Sequence, residues 1–235
     1  MNPSEKLEFL KQRLRHDPVI NATVLNMIRV LGKVHPNDGG HQGHRDASAL
    51  YREDFFHLYH LLWHIGAVIN PQNIMEIGCR TGTSICHLLS AMPDHEGKHV
   101  VLFDAFIDVL NVSDEELTPI TEKMVKANIE YLNLPVDKVK FVVGLSAETV
   151  PNYREENPDI RFDYILVDAG HTYELAKIDM ENSAEMLAPG GVLLMDDLVV
   201  PSLHKLWNEF KAERRDEFLF AQNVVWHGLG VGVKK

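Results

Sequence analysis

Short, nearly unbroken apolar runs alternate along this chain with segments whose apolar residues recur every three to four positions. The runs are Asn73-Ile-Met-Glu76, His99-Val-Val-Leu-Phe-Asp104, Val139-Lys-Phe-Val-Val-Gly144, Phe162-Asp-Tyr-Ile-Leu-Val-Asp168 and Val192-Leu-Leu-Met195. Each reads as a strand. Strands of this kind, separated by helices, predict a parallel sheet covered on both faces. Pro189-Gly-Gly191 reads as a break before the fifth strand, and Phe218–Gln222 with Gly228–Lys234 as two closing strands. Helices are expected over 3–15, 18–33, about 48–68, from Thr83 through Leu89, over 114–132 and through Met186. Asp17-Pro18 supplies a cap and a proline at the first position of the second helix. Residues 34–49 are polar and glycine-rich, a candidate lid or a plain linker, and 105–116 are irregular and acidic. The division expected is residues 1–49 as helices plus loop, and 50–235 as one α/β domain.

In the 48–68 helix, Phe55, Leu58, Tyr59, Leu62 and Ile65 share one face. His57, His60 and His64 gather on the other with Glu53, and His41 and His44 lie nearby in sequence. A metal site is conceivable there, but no cysteine or tight ligand motif completes it, so the pattern reads better as a solvated polar face.

The most informative stretch is Met75-Glu-Ile-Gly-Cys-Arg-Thr-Gly-Thr-Ser84. Strand, glycine turn and helix in succession form the βα unit that cradles nucleotide-like ligands, and the free N–H groups of the first helical turn favour an anionic group. Gly78 and Gly82 let the backbone turn and approach a ligand closely. A dinucleotide fingerprint is excluded because Arg80 stands at its second glycine, and a Walker loop because there is no lysine. What remains is E-x-G-x-x-x-G. Asp104, 26 residues beyond Gly78 at the end of the second strand, is placed to accept hydrogen bonds from both hydroxyls of a ribose; capping the next segment is its other reading.

Charge narrows the partners. With 34 acids against 23 bases the net charge is −11, which argues against an extended nucleic-acid surface. The two cysteines, Cys79 and Cys86, read as buried thiols of a reducing compartment. With no apolar stretch of ~20 residues and no signal-peptide pattern, the expectation is a cytoplasmic protein without a membrane partner.

The run FDYILVDAGHTYELAKIDMENSAEMLAPGGVLLMDDL resembles the fourth strand, helix and fifth strand of class I S-adenosylmethionine (SAM)-dependent methyltransferases. It is most similar to the branch of catechol and caffeoyl-CoA O-methyltransferases and related bacterial natural-product enzymes. MEIGCRTGTS and NIEYLNLPVDKVKFVVGLSAETVP resemble that branch too, and the likeness spans about residues 50–234. It implies a Rossmann-like seven-stranded sheet with the last strand antiparallel. It also implies that Glu76, Gly78 and Ser84 line the methionine end of SAM, with Gly82 in the same loop. Asp104 would hold the ribose, and Ser146 and Ala147 would border the adenine. Asp168, Asp196 and Asp197 fall on the ligands of a divalent metal, Mg²⁺ or another. Two departures stand out: Asp197 replaces a common asparagine, and His171 falls where catechol-type enzymes place a catalytic lysine.

Elementary electrostatics bears on the metal. Neighbouring strands lie about 4.8 Å apart, so acids at the ends of the fourth and fifth strands converge. Clustered carboxylates repel and favour protonation, and a hard cation with oxygen ligands relieves that cost. The plain alternative is that Asp196 and Asp197 cap the next segment. His171, with an ordinary pKa near ~6.5, suits a general base or a group that orients the loop. The expected activity is O-methylation of a small-molecule hydroxyl, with metal-independent O- or N-methylation and SAM binding without transfer as alternatives. The acceptor has no readable code; Trp63, Trp207 and Trp226 suit core or pocket, and a homodimer is an expectation from the resemblance.

Overall fold

The computed structural model describes residues 1–14, 53–106, 122–224 and 227–235, side chains of 53–57, 124 and 136 excepted. The helices are α1 (Pro3–Leu14), α2 (Glu53–His64), α3 (Thr83–Ser90), α4 (Glu122–Tyr131), α5 (Ser146–Glu156), α6 (Tyr173–Met186) and α7 (Pro201–Glu213). The strands are β1 (Asn73–Ile77), β2 (His99–Asp104), β3 (Val139–Val143), β4 (Phe162–Val167), β5 (Leu187–Met195), β6 (Phe218–Asn223) and β7 (Leu229–Lys234). They form one sheet in the order β3-β2-β1-β4-β5-β7-β6. Strands β1 to β5 pair in parallel, and β7 runs antiparallel to both β5 and β6. The chain winds outward from β1 to β3, then returns to lay β4 on the other side of β1. Ligand crevices of open α/β sheets form at such a reversal, outside the carboxyl ends of the strands.

Period-two alternation builds two cores. Ile74, Val100, Leu102, Tyr164, Leu166, Val192 and Leu194 face one way, against apolar residues of α1, α2, α3 and α4. Met75, Ile77, Val101, Phe103, Ile165, Val167, Leu193 and Met195 face the other way, against α5, α6 and α7. The expected Rossmann-like α/β class is therefore observed, with a helix ahead of it. Helix α1 buries Leu7, Leu10 and Leu14, and Asn223 Nδ2 donates to the Leu14 carbonyl (3.0 Å), which ties the helix to β6.

Several local expectations change. Strand β5 runs straight through Pro189-Gly190-Gly191. The break predicted there is instead an irregular register against β4: Phe162 faces Leu187, whereas Tyr164 faces Val192, so a bulge absorbs the extra residues. Helices α5 and α7 were not anticipated. Yet α7 carries a legible stripe, Leu203, Leu206, Trp207 and Phe210, behind Pro201 at its first turn. On α2, Leu58 and Leu62 are buried as the periodicity requires, and so is Ile65 just past the end of the helix. The opposite face is not simply solvated, because His60 and His64 are half-buried with Nε2 atoms 3.1 Å apart. Both cysteines are buried and free, and Trp207 is core. The 18–33 helix, the 34–49 loop, most of 105–116, the beginnings of the 48–68 and 114–132 helices, the His57 side chain and Trp226 lie outside what is described. Among the described residues no helix is long and apolar enough to cross a membrane.

Candidate active site

The glycine loop joins β1 to α3 at the reversal. Gly78 sits at φ 88°, donating its N–H to the Phe103 carbonyl (2.8 Å). A Cβ on Gly78 would lie 2.0 Å from the carbonyl oxygen of Asp168. The glycine is thus demanded by the end of β4, an intramolecular contact, rather than only by clearance for a ligand. Gly82, at φ 77°, precedes α3, and a Cβ there would meet Val125 Cγ1 at 2.6 Å. Between them the loop turns the Arg80 N–H onto Asp104 Oδ2 (2.6 Å), while Phe106 N–H takes Oδ1 (2.6 Å). Asp104 is therefore held by main chain on both oxygens, each of which retains a lone pair for another donor. Gly144 N–H reaches the Asp104 carbonyl (3.0 Å) and so draws the start of α5, with Ser146 and Ala147, to the same crevice. The Ser146 hydroxyl turns away from it, donating to Asp179 Oδ2 on α6 (2.9 Å).

Glu76 and Ser84 meet across this loop. Both are buried, and the Ser84 hydroxyl donates to Glu76 Oε1. Burial pushes the Glu76 carboxyl up to about 8, against the lowering effect of Ser84 and with a further push from the Asp104 charge. The group is protonated at neutral pH. Burial likewise raises the Cys79 and Cys86 thiols, so neither is a thiolate nucleophile.

A second cluster adjoins the first through the Gly78–Asp168 contact. Asp168 follows β4 and Asp196-Asp197 follow β5, and the pairing of Val167 with Met195 sets the two strand ends side by side. Ligand atoms of Asp168, His171 and Asp197 all lie within 4.8 Å of one another; the Asp196 carboxyl, buried beside them, is not one of the three. Asp197 occupies a left-handed conformation (φ 60°) and is 15% exposed. Its Oδ2 lies 3.0 Å from His171 Nε2 and its Oδ1 2.8 Å from His227 Nδ1. His227 lies between β6 and β7. Sequence reasoning missed it, and nothing local marks it.

The charges are uneven. Burial alone would raise Asp197, but the two histidine bonds outweigh it and hold the carboxyl below the usual range. Burial and then the Asp197 charge push Asp196 up to about 7. Burial, followed by the charges of Asp196 and Asp197, raises Asp168 well above its ordinary value. The hydrogen bond to Asp197 raises His171. One carboxylate is thus ionised beside two that resist ionisation, which is the donor chemistry that a divalent cation relieves.

The fold matches solved methyltransferase structures. These include an O-methyltransferase from Bacillus cereus in complex with S-adenosylhomocysteine (SAH), at 20% identity and TM-score 0.60, covering 92% of this chain and 91% of that one. TomG, the Streptomyces achromogenes O-methyltransferase of tomaymycin synthesis in complex with SAM, matches at 14% identity and TM-score 0.64 over 99% and 96% of the two chains. The SAH-bound methyltransferase PaMTH1 of Podospora anserina matches at 14% and 0.57 over 99% and 94%. At such identities these likenesses establish the fold alone. No curated protein matches the chain by sequence. The family model described as a methyltransferase domain matches residues 75–198, more than half of the 235, from the β1 glycine loop through the Asp196-Asp197 pair. The chain that sets these two clusters at the reversal of its sheet belongs to the methyltransferase-domain family.

Proposed function

We propose that this protein is a SAM-dependent O-methyltransferase acting on a small-molecule hydroxyl, with a divalent cation at the acidic cluster. One observation carries the reading: the Asp104-bearing glycine loop and the Asp168–His171–Asp197 cluster adjoin at the reversal of the sheet, through the contact of Gly78 with Asp168. Asp104, held by two backbone N–H groups, would take the ribose hydroxyls. Glu76 and Ser84 would meet the methionine end, and Ser146 and Ala147 would border the adenine. Asp168 and Asp197, whose carboxyl oxygens converge, would hold the cation with Asp196 buried beside them, and the cation would supply positive charge that stabilises a substrate oxyanion. His171 fits the part of general base. The ionised Asp197 takes its Nε2–H and leaves Nδ1 as the acceptor of the hydroxyl proton. SAM, when bound, would supply the methyl carbon: the substrate oxygen would bond to it as the carbon–sulfur bond breaks, the electron pair leaving with sulfur to give SAH.

A second reading is metal-independent transfer by the His171–Asp197 pair. It is favoured by the engagement of both Asp197 oxygens with histidines. Calorimetric titration with SAH in Mg²⁺, Mn²⁺ and EDTA separates the two. Micromolar SAH binding with a separate cation heat is expected; SAH binding without any cation heat selects the second reading, and no SAH binding sinks both.

Glu76 adds an expectation about protons. Its carboxyl is neutral near pH 7 when alone, and a bound α-ammonium group favours the carboxylate. SAH binding near pH 7 should therefore release protons, and affinity should rise with pH and level off above about 8, as the free protein itself loses that proton. Titrations in buffers of different ionisation enthalpy measure the release. Glu76→Gln should bind SAH about tenfold more weakly or worse, with the proton release gone. A wild-type affinity flat from pH 6 to 8 would remove Glu76 from the methionine end.

A further inference from the structure

Asp179, in the middle of α6, is fully buried. Aspartate is a poor helix-interior residue, and burying a carboxyl with incomplete partners is costly. Its Oδ2 accepts from Ser146, but its Oδ1 has no partner, and neither does the buried Ser183 Oγ one turn further along the same helix. The methyltransferase reading given above leaves Asp179 without a role. What it does structurally is hold the first residue of α5 from behind.

That residue borders the crevice. On one side of the β3–α5 junction Gly144 is tied to the Asp104 carbonyl; on the other Ser146 is tied to Asp179. Leu145 stands between the two anchors and is 54% exposed, an apolar side chain open to solvent. A purine ring requires such a surface, rigidly placed, and the two anchors remove the junction's freedom to shift.

We infer that Asp179 is a positioning residue for the adenine side of the cofactor crevice, acting through the Ser146 hydroxyl on the junction that carries Leu145. The inference rests on the SAM reading above. Burial raises the Asp179 carboxyl to about 6 against the opposing bond from Ser146, so near neutral pH that hydroxyl meets mainly the carboxylate.

The test compares wild type, Asp179→Ala, Asp179→Asn, Ser146→Ala and the Asp179→Ala/Ser146→Ala double variant by SAH calorimetry, each with its ligand-free melting temperature. Asp179→Ala and Ser146→Ala should each weaken SAH at least tenfold. The double variant should be no weaker than Asp179→Ala alone, because both remove one interaction. Asp179→Asn, whose carbonyl still accepts from Ser146, should stay within threefold of wild type. A merely structural role would lower melting temperatures without this pattern of shared loss and rescue. Wild-type affinity in either alanine variant, losses that multiply in the double variant, or no rescue by asparagine overturns the inference while the SAM reading stands. Wild type that does not bind SAH overturns both. Should Asp179→Ala fail to fold, Ser146→Ala and Asp179→Asn decide: the inference stands if serine loss weakens SAH and asparagine does not, and falls otherwise.

Discussion

Asp168→Ala abolishes cation binding and lowers methyl transfer by on the order of a thousandfold, while SAH affinity stays within about threefold: this is the expected result with the largest effect on activity. The carboxyl projects from just past the end of β4, among the ligand atoms that converge with His171 and Asp197. It is not among the groups that hold the glycine loop, so cofactor contacts survive its loss. The same substitution should stabilise the cation-free protein. Asp168 is raised by burial and by the charges of Asp196 and Asp197. A carboxyl raised on folding holds its proton more tightly in the folded state, so folded stability falls as pH climbs from the unfolded value through the raised one. Deleting it removes that loss. In EDTA, the melting temperature of Asp168→Ala should therefore exceed that of wild type, by more at pH 8 than at pH 5. In excess Mg²⁺ or Mn²⁺ the order should invert, because only wild type gains binding energy. Undiminished cation heat or turnover in the variant would take Asp168 out of the reaction.

Gly78→Ala carries the largest expected effect on stability. The position sits at φ 88°, which an L side chain disfavours by about 1 kcal/mol or more. Its new Cβ would stand 2.0 Å from the Asp168 carbonyl oxygen and 2.6 Å from the Asp168 carbonyl carbon. Those are main-chain atoms of a central strand end and cannot rotate aside, so overpacking adds roughly 1–3 kcal/mol. The total of about 2–4 kcal/mol is measurable as a fall in denaturant midpoint. Because relief requires β1 and β4 to part at the crevice, SAH and cation affinities should fall together, unlike in Asp168→Ala. Gly82→Ala is the internal control. Its φ of 77° exacts a similar backbone cost, but the contact at 2.6 Å is Val125 Cγ1, a side-chain methyl that can rotate away. A Gly78→Ala variant as stable as Gly82→Ala would contradict the account of why the loop needs its first glycine.

Much of this was legible in the sequence because its causes are local. Period-two runs placed β1, β2, β3 and β4 within a residue or two, and the Gly78–Gly82 turn marked the loop at the reversal. An acid at the carboxyl end of a strand must lie at the crevice of a parallel sheet, so Asp104, Asp168, Asp196 and Asp197 could be gathered at that edge from their positions alone. Helix α7 is legible as well, from its apolar stripe behind Pro201. Tertiary structure alone decided the rest. It gave Gly78 its closest constraint, a carbonyl 90 positions away; brought His227 onto Asp197; turned the Ser146 hydroxyl from the crevice to Asp179; and carried β5 through Pro189-Gly-Gly191 as a bulge. Each is a pairing between residues distant along the chain. Hydrophobic period and turn chemistry constrain a residue relative to its near neighbours, whereas these contacts exist only once the sheet has assembled and brought separate strand ends within a few ångströms of one another.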